Sequence, residues 1–378
     1  MRVVDVTQWY APRSGGIRTY LTAKAAHAAR AALDHALIVP GAAAGVTRLA
    51  RSPVIAVPGL PTGQSAGYRL IPHPAPIERA LDRLAPAVLV LHDATAFPRS
   101  LGRWARAHNA AVVLFVHSDL ETAAPGAPAP LRRPATHALR ALQARGLVGP
   151  DAVVTTSQAM AARLRAHHGA QVHVSPLGVD TDLFRPAPAD TELRRTLAAP
   201  RQTLLVHAGR LSPEKHPLLL VETLARLPTD HVLVIAGDGA KAPAMRDHAR
   251  RLGVADRLRI LGHVPERAHL ARLLATADCF LHANPGEPFG LAPLEALACG
   301  CRVVLPADCG AAERMPPTSA VRVAPGSAAA LAAGVERALA GPRPDPDLAS
   351  LSWTASFARE WALYRHLRIR MAAGCDAA

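Results

Sequence analysis

The feature that most constrains this chain is the alternation of short apolar segments with longer segments of helical period. Strand-sized runs rich in Val, Leu and Ile are followed by Ala-, Leu- and Arg-rich stretches in which apolar residues recur every three or four positions. Strands that are apolar throughout and separated by helices indicate a parallel sheet covered on both faces. The pattern therefore predicts an α/β protein.

The alternation occurs in two series. In the first, strands are predicted at Val3–Val6, Ala36–Val39, Ala87–Leu91, Ala111–Val116 and Ala152–Thr155. In the second, they are predicted at Thr203–His207, His231–Ala236, Leu258–Leu261, Cys279–Leu281 and Arg302–Leu305. Helices are predicted between them at Ile17–Ala32, Leu131–Arg145, Ser157–Ala166, Pro217–Leu227, Ala242–Leu252 and Glu266–Thr276.

Residues 175–190 interrupt the alternation with a cluster of proline and Asp/Thr turn chemistry, which is typical of a linker. We therefore predict an N-terminal domain over residues 1–185 and a C-terminal domain over residues 186–350. A second Pro-rich stretch, Gly341–Pro346, precedes a final helix predicted from about Trp353 to Met371. The length of 378 residues suits two such domains.

Composition excludes several other classes of protein. Half of the residues are apolar, which argues against disorder, yet no apolar run approaches the roughly 20 residues of a membrane span. Asp5 and Pro12 interrupt the start of the chain where a signal peptide needs an apolar stretch. We expect a cytoplasmic protein, with peripheral binding to the inner face of the membrane left open.

The formal net charge of +14 is concentrated near the N-terminus. Residues 1–150 carry 17 basic and 7 acidic side chains, whereas residues 151–350 carry 22 and 20, and residues 351–378 carry 4 and 2. Nucleic-acid binding is a remote alternative, because 4% aromatic content is thin for base stacking. The asymmetry points instead to a partner of the N-terminal domain.

Five cysteines lie in the last third of the chain: Cys279, Cys299, Cys301, Cys309 and Cys375. Their odd number in a large chain makes a disulfide framework improbable. Their spacing matches no structural zinc pattern, and two of them sit within apolar runs. We interpret them as small buried hydrophobic residues and expect no metal site.

The segment Glu287-Pro-Phe-Gly-Leu-Ala-Pro-Leu-Glu295 places two carboxylates eight residues apart. Pro293 suits the first turn of a helix, so Glu287 is predicted in the preceding loop and Glu295 in the early turns. Free N–H groups near Gly290 and Leu291 would then form a site for a phosphate. A surface glutamate followed by a solvated helical glutamate is the alternative.

A basic pair follows the first strand of the second series, in Gly209-Arg210-Leu-Ser-Pro-Glu-Lys215. Such a loop lies at the carboxyl end of a parallel sheet, where ligands bind. Arg210 grips phosphate oxygens as a fork and Lys215 acts as a point charge, so together they suit a diphosphate. The alternative is an ordinary charged turn.

Weaker candidates follow strands of the first series. Ser14-Gly15-Gly16 precedes a helix, and paired glycines let backbone approach a phosphate, although taken alone the pair favours a plain turn. His117 ends one strand and His92-Asp93 ends another, so both reach the edge where ligand-facing groups collect. A structural histidine is the alternative for His117.

Together these segments resemble the large retaining glycosyltransferase family with the GT-B fold, family 4 in carbohydrate-enzyme classification. The resemblance covers nearly the whole chain, and the Glu287–Glu295 pair with Gly209–Lys215 in this order is its most specific part. Supporting segments are Gly15-Gly16, Pro176–Pro186, Ile235–Gly239, Ser352-Trp353 and Tyr364-Arg365.

The resemblance implies two facing Rossmann-like domains with parallel sheets, a nucleotide sugar bound mainly by the C-terminal domain, and a last helix, 353–378, that crosses back to the N-terminal domain. Arg210 and Lys215 would hold the diphosphate, Glu295 the ribose and Glu287 the donor sugar. Backbone at Phe289, Gly290 and Leu291 would contact phosphate and sugar.

In the N-terminal domain, the resemblance implies that His117 meets the donor sugar and that Gly16, beside Gly15, approaches the distal phosphate. Two departures from the family pattern are Leu177 in place of the usual Asn, and Ala311 in place of the second glycine of S-D-x-G-G-x-x-E. Neither removes a charge expected to bind the donor.

The implied reaction moves a hexose, with retention, from a nucleoside diphosphate to a glycan or lipid-linked acceptor without metal or other cofactor. GDP-mannose is the favoured donor, ahead of UDP-glucose or a UDP-N-acetylhexosamine. A nucleotide-sugar epimerase of the same fold is an alternative that the motif order disfavours. Basic and apolar residues mix at helical spacing in 98–106 and 131–145, which suits either an anionic membrane surface or ordinary solvated helices.

Overall fold

The computed structural model describes residues 1–11, 15–62, 67–92, 94, 97–117, 132–168 and 171–375. Up to residue 177 its elements are β1 (Val3–Val6), α1 (Gly16–Arg30), β2 (His35–Gly41), β3 (Gly45–Leu49), β4 (Ser52–Pro58), β5 (Leu60–Pro61), β6 (Arg69–Leu70), α2 (Ala75–Leu84), β7 (Val88–Leu91), α3 (Pro98–Ala107), β8 (Ala111–Val116), α4 (Arg132–Leu147), β9 (Ala152–Thr155), α5 (Gln158–His168) and β10 (Val172–Val174).

The elements that follow are α6 (Thr191–Leu197), β11 (Thr203–Ala208), α7 (Pro217–Leu224), β12 (His231–Ala236), α8 (Ala242–Arg251), β13 (Leu258–Gly262), α9 (Arg267–Thr276), β14 (Cys279–Leu281), α10 (Leu291–Ala298), β15 (Arg302–Pro306), β16 (Ala320–Val323), α11 (Ala328–Ala340), α12 (Leu348–Leu351) and α13 (Trp353–Cys375). All ten predicted strands are present, each with the predicted bounds to within two residues.

The chain divides into two compact units. Unit 1 comprises residues 1–177 and 353–378, and unit 2 comprises residues 178–352. Residues 178–185 therefore group with unit 2, so the predicted domain boundary at residue 185 is wrong by eight residues. Two contacts explain this: the Val179 N–H donates to the Leu351 carbonyl at 2.8 Å, and the Arg267 guanidinium lies 4.7 Å from the buried ring of Phe184.

Unit 1 is built on an eight-stranded sheet with the order β10-β9-β8-β7-β1-β2-β4-β3. Neighbouring strands are parallel except for β3, which pairs antiparallel with β4 at the edge. The prediction of a parallel sheet is therefore wrong for β3 alone. The residues of β3 are largely exposed, so this strand lacks the apolar run that marks a central parallel strand. The central strands β1, β7 and β8 are buried throughout, as predicted.

The terminal helix α13 packs on α1 and β8 within unit 1, as the resemblance implied. Its buried residues include Phe357, Trp361 and Tyr364, which pack around Tyr20 and Lys24 of α1. Burial of these aromatic side chains supplies the main driving force for holding the helix in place.

Unit 2 is built on a six-stranded parallel sheet with the order β13-β12-β11-β14-β15-β16. Apolar side chains of the central strands and of α7, α8 and α11 form its core. The reversal of strand order lies between β11 and β14, so the loops that follow these two strands emerge side by side. Ligands of open parallel sheets bind beside such a reversal, at the carboxyl ends of the strands.

Candidate active site

Lys215 and Glu287 meet at the carboxyl edge of the unit 2 sheet. Lys215 ends a short 3-10 turn after β11, and Glu287 lies in the loop after the neighbouring strand β14. The Lys215 ammonium donates to Glu287 Oε2, which also accepts from Asn284 Nδ2 at 2.7 Å. The side chains are only 22% and 14% exposed, so neither the charged-turn nor the surface-glutamate alternative describes them.

The charge state of Glu287 follows from these contacts. Burial raises the pKa of this carboxyl, but the Lys215 ammonium and the hydrogen bonds from Lys215 and Asn284 outweigh it, so the pKa lies below its ordinary value. Glu287 is therefore ionised at neutral pH. An ammonium has three hydrogens to donate, so Lys215 can bind a phosphate oxygen while it keeps Glu287 in place.

Two buried histidines lie beneath this pair. His282 Nε2 is 4.0 Å from Glu287 Oε2, and within the described ranges neither of its ring nitrogens has a hydrogen-bond partner. His207 Nδ1 lies 2.9 Å from the Leu281 carbonyl. Burial lowers the pKa of His207 to about 4 and that of His282 to about 3, so both rings are neutral at physiological pH.

Glu295, the second carboxylate of the motif, is the fifth residue of α10 and its side chain is 4% exposed. Its Oε1 accepts from Arg267 Nη2 at 2.7 Å, and Arg267 in turn packs over Phe184. The alternative of a solvated helical glutamate is therefore wrong. The structure pairs Glu295 with Arg267, and Glu287 with Lys215.

The start of α10 is shaped by two glycines. Gly290 caps the helix with φ at +88°, a left-handed conformation that favours glycine, and Leu291 is the first helical residue. Gly310 N–H donates to the Glu287 carbonyl at 2.8 Å, and a Cβ on Gly310 would meet the Pro288 carbonyl oxygen at 2.1 Å. Gly310, the glycine that remains in the segment compared with S-D-x-G-G-x-x-E, is thus required by packing. The buried Phe289 lies in the same loop.

Arg210 lies in the same loop as Lys215 but does not join the Glu287 contacts. Its side chain is 58% exposed, and its Nη2 lies 3.6 Å from Glu214 Oε1. Glu214 also accepts from Ser212 Oγ at 2.5 Å. Arg210 is thus an exposed cation in the loop that carries Lys215, whereas the Lys215 side chain is largely buried against Glu287.

The unit 1 candidates share the carboxyl edge of the other sheet. Gly15 caps α1, Gly16 begins it, and no described atom lies within 4 Å of a Cβ built on Gly15. His117 follows β8, and its Nε2 lies 2.8 Å from Nδ1 of His92, which follows the adjacent strand β7. Ser14 and Asp93, which the sequence analysis also named, lie outside the described residues.

Sequence reasoning missed several side chains that contact the candidates: Asn284, His282, Arg267 and Asp5. Asn284 and His282 lie within five residues of Glu287, so their proximity to the motif was the one available signal. Arg267 and Asp5 reach their partners across 28 and 87 positions, and no local pattern marks such contacts.

Four cysteines, at positions 279, 299, 301 and 309, are buried with unpaired thiols, as the sequence predicted; the side chain of Cys375 lies outside the described part. Burial raises the pKa of Cys299, Cys301 and Cys309 to about 12, so these thiols stay protonated. Over the described ranges no group of three or more His, Cys, Asp or Glu side chains is arranged to hold a metal, and no helix is both long and apolar enough to cross a bilayer.

Comparison with known proteins agrees with this architecture. Residues 14–183 match the family model described as Glycosyltransferase Family 4, and residues 189–350 match the model described as Glycosyl transferases group 1. A GDP-mannose-dependent alpha-(1-6)-phosphatidylinositol dimannoside mannosyltransferase of Mycobacterium tuberculosis is 36% identical over 310 residues, which are 81% of this chain and 79% of the relative. This chain belongs to the group 1 glycosyltransferases.

A second relative is similar in sequence, and solved structures are similar in fold. A D-inositol 3-phosphate glycosyltransferase of Xylanimonas cellulosilytica is 37% identical over 179 residues, or 42% of each chain. The solved sucrose-phosphate synthase of Thermosynechococcus elongatus has a TM-score of 0.81 over 97% of this chain and 99% of its own, at 19% identity. The predicted GT-B type of fold is confirmed.

Proposed function

We propose that this glycosyltransferase transfers mannose from GDP-mannose to a lipid-linked acceptor with retention at the anomeric carbon. The observation that carries the proposal is the pairing of Lys215 with Glu287 at the carboxyl edge of the unit 2 sheet, beside the start of α10. This edge combines an ammonium with unused hydrogens, an ionised carboxylate and a helix N-terminus. The mannosyltransferase relative supports mannose and GDP through its name.

In this proposal the cations bind the diphosphate and the carboxylates bind the hydroxyls. Lys215 and the exposed Arg210 neutralise the phosphate oxygens, and the N–H groups from Phe289 to Leu291 donate to the distal phosphate and to the sugar. Glu287 accepts from sugar hydroxyls. Glu295 holds the ribose through the oxygen that does not face Arg267. In unit 1, His117 meets the sugar, and Gly15 and Gly16 allow close approach to the phosphate.

The reaction requires charge to be neutralised on a departing diphosphate. A double-displacement mechanism needs a nucleophilic carboxylate about 5 Å from an acid partner, and we assign no such pair here. We propose instead that the leaving phosphate takes the acceptor's proton while the acceptor oxygen attacks from the same face. The bond to the diphosphate oxygen breaks as the new glycosidic bond forms. Positioning and electrostatics then supply most of the rate.

Calorimetric titration with GDP-mannose, UDP-glucose and UDP-N-acetylglucosamine tests the donor. We expect GDP-mannose to bind. In assays of mannose transfer, we expect Lys215→Ala and Arg210→Ala each to lower kcat/KM by about 100-fold or more, since each removes a charged contact to the transition state. Arg246→Ala removes an exposed cation from α8 and is the matched control. Binding of a UDP-sugar but not of GDP-mannose would refute the choice of donor.

Metal independence is tested separately by adding EDTA to the purified enzyme. If the cationic side chains neutralise the diphosphate, we expect the rate of mannose transfer to change by less than about twofold. Complete loss of activity that Mg²⁺ or Mn²⁺ restores would overturn this part of the proposal. Retention is tested by NMR of the product: the new anomeric centre should have the same configuration as the anomeric centre of the donor.

A lipid-linked acceptor is supported by an exposed surface on unit 1 that we term the α3–α4 surface. It comprises Arg106, Leu142, Arg145 and Val148, with the last three at a spacing of three residues. Leu142 is 40% exposed and Val148 68% exposed, and the Arg106 guanidinium lies 3.8 Å from where a Cβ of Gly149 would be. Apolar side chains between arginines suit an anionic lipid surface.

Co-sedimentation with vesicles tests this surface. We expect wild-type protein to pellet with phosphatidylcholine vesicles that contain phosphatidylinositol, and Leu142→Asp to reduce the pelleted fraction several-fold. Leu252→Asp on unit 2 is the matched control, because Leu252 is also 40% exposed. Equal recovery with neutral and anionic vesicles would reject the docking. A phosphatidylinositol mannoside is the first acceptor to test, given the name of the relative.

A further inference from the structure

Three side chains of unit 1 form a continuous chain of hydrogen bonds from the interior of the sheet to its carboxyl edge. Asp5 lies within β1, and its Oδ1 is 2.6 Å from His92 Nε2. His92 Nδ1 is in turn 2.8 Å from His117 Nε2. Asp5 and His92 are buried, whereas His117 is partly exposed. The chain therefore connects a buried charge with a residue at the edge where ligands bind.

The protons of this chain are constrained at its buried end. Asp5 accepts from Lys24 Nζ at 2.8 Å and is also bonded to His35 Nε2 at 2.5 Å and to His92 Nε2. Burial raises the pKa of Asp5, but Lys24 and the two histidines hold it well below its ordinary value. An ionised carboxylate only accepts hydrogen bonds, so His92 Nε2 must carry a hydrogen.

One hydrogen is then shared between His92 and His117. If His92 is neutral, its Nδ1 has only a lone pair, so His117 donates from Nε2 and its own Nδ1 is left as an acceptor. If His92 is charged, it donates from Nδ1, and a neutral His117 carries its hydrogen on Nδ1. Burial, then the neighbouring His92 and Lys24, hold the pKa of His117 well below its ordinary value. His117 thus has a single tautomer for each state of His92.

We propose that His92 is a positioning residue: anchored by Asp5, it holds His117 in one tautomer and so decides whether His117 Nδ1 donates to or accepts from the ligand. The stacking of the His117 ring on Phe115, with centroids 4.4 Å apart, fixes the plane of the ring but not the place of its hydrogen. The bond from His92 supplies that second constraint. The inference rests on the proposed function only in the contact of His117 with the donor sugar.

The Tyr20 ring packs edge-on against His92 and His117, with centroids 5.4 and 5.3 Å apart, and the other charged groups around the chain lie near Asp5. The Glu360 carboxylate of α13 is 3.5 Å from Lys24 and accepts from Tyr20 at 2.6 Å and Tyr364 at 3.0 Å. His35 Nδ1 lies 2.8 Å from Ser52 Oγ, on the opposite side of Asp5 from His92. These contacts hold Asp5 in place, while His92 makes the contact to His117 at the edge of the sheet.

The substitution His92→Gln separates positioning from folding. The glutamine amide reaches about as far as histidine Nε2, so it can still donate to Asp5, but it offers no atom at the place of Nδ1 for His117. His35→Gln is the matched control, because it keeps the bond to the same carboxylate and does not contact His117. His92→Asn is the converse variant: its amide reaches the place of Nδ1 but not Asp5, and because it offers both an acceptor oxygen and donor hydrogens it can bond to either tautomer of His117.

Long-range ¹H–¹⁵N NMR of protein labelled in its histidines reads the tautomer of His117 directly, with His117→Gln used to assign its signals. We expect one neutral tautomer in the wild type and in His35→Gln, and a mixture of tautomers in both His92→Gln and His92→Asn, since neither variant holds an Asp5-anchored group against His117. A mixture in the wild type, or unchanged His117 signals in His92→Gln, would overturn the inference.

Kinetics give a second readout on the same variants. We expect His92→Gln to lower kcat for mannose transfer by about 10-fold with little change in KM, as for a lost neutral hydrogen bond, and His35→Gln to stay near the wild type. Equal rates in both variants would refute a role for the His117 tautomer in turnover. A wild type that transfers no mannose would refute the proposed function, whereas the NMR result would still decide the inference.

Discussion

Replacing Lys24 by methionine tests the electrostatics that hold unit 1 together. The Lys24 side chain is completely buried, and its ammonium lies 2.8 Å from Asp5 and 3.5 Å from Glu360. It also lies between 5.1 and 5.5 Å from the ring centroids of Tyr20, Trp361 and Tyr364. One cation therefore compensates two buried carboxylates, and its removal leaves both without their ammonium.

Removing one partner of a buried ion pair destabilises a protein by about 3–5 kcal/mol, because the other charge stays buried. Asp5 keeps His35 and His92 as donors in the variant, so we expect Lys24→Met to cost about 3 kcal/mol, the lower end of that range. For a unit of about 200 residues this corresponds to a fall in melting temperature of about 6–12 °C.

Tryptophan fluorescence during urea unfolding measures this change in unit 1 alone. All four tryptophans, at positions 9, 104, 353 and 361, belong to unit 1, so the fluorescence transition reports that unit even if unit 2 unfolds separately. Arg99→Met is the control, because it removes an exposed cation from α3. A free energy of unfolding within about 0.5 kcal/mol of the control would refute the reasoning.

The double variant Lys24→Met/Glu360→Gln extends the test. Neutralising Glu360 removes one of the two carboxylates that the lysine compensates, so part of the lost stability should return. We expect the double variant to be more stable than Lys24→Met alone. Additive losses would show that Lys24 and Glu360 do not interact across the 3.5 Å that separates them.

Two further predictions concern unit 2 and the glycines. Because the folded pKa values of His207 and His282, about 4 and about 3, lie below the unfolded value, unfolding takes up protons below about pH 6.5, and stability falls as the pH falls. We expect a loss of about 2 kcal/mol per histidine at pH 5. Hydrogen exchange in β11 and β14, corrected for the intrinsic pH dependence of amide exchange, should show lower protection at pH 5 than at pH 7, and the difference should be smaller in His282→Gln. Equal protection at the two pH values would contradict this prediction. Gly310→Ala should displace the Pro288 carbonyl and lower both stability and kcat/KM. Gly15→Ala has space for its Cβ among the described residues, so it should leave the melting temperature within about 1 °C, yet it should weaken GDP-mannose binding. Equal melting temperatures for the two glycine variants would be the contrary result.

Most of the strands that the sequence predicted are buried on both faces; β13 was also predicted although its residues alternate between exposed and half-buried. β8 is a continuous apolar run, β12 is apolar after His231 and β1 is apolar apart from Asp5, and the predicted bounds of all three are confirmed. β3 was missed because its exposed residues carry no such run, and its pairing with β4 depends on contacts beyond the strand itself. A strand covered on both faces of the sheet can thus be predicted from its apolar residues, whereas an exposed edge strand such as β3 cannot.

The same distinction holds for the site. The sequence indicated Lys215 because its loop follows a strand and so lies at the carboxyl end of a parallel sheet, and it indicated Glu287 through its spacing from Glu295. It did not indicate that Glu295 pairs with Arg267, because that contact depends on how α9 packs against α10. Nor did it show which motif glycine is required: the approach of Gly310 to the Pro288 carbonyl is visible only in the fold.

The division of unit 1 into two separated stretches has a consequence for the order in which the protein matures. A ribosome releases unit 2 in full once residue 352 has emerged, whereas unit 1 lacks α13 until residue 375 follows. During that interval the face of α1 that carries Tyr20 and Lys24 has no Glu360 beside it. Unit 1, most of which is synthesised first, is therefore the unit that is completed last, and a polypeptide terminated before Trp353 would lack the helix that packs on α1 and β8.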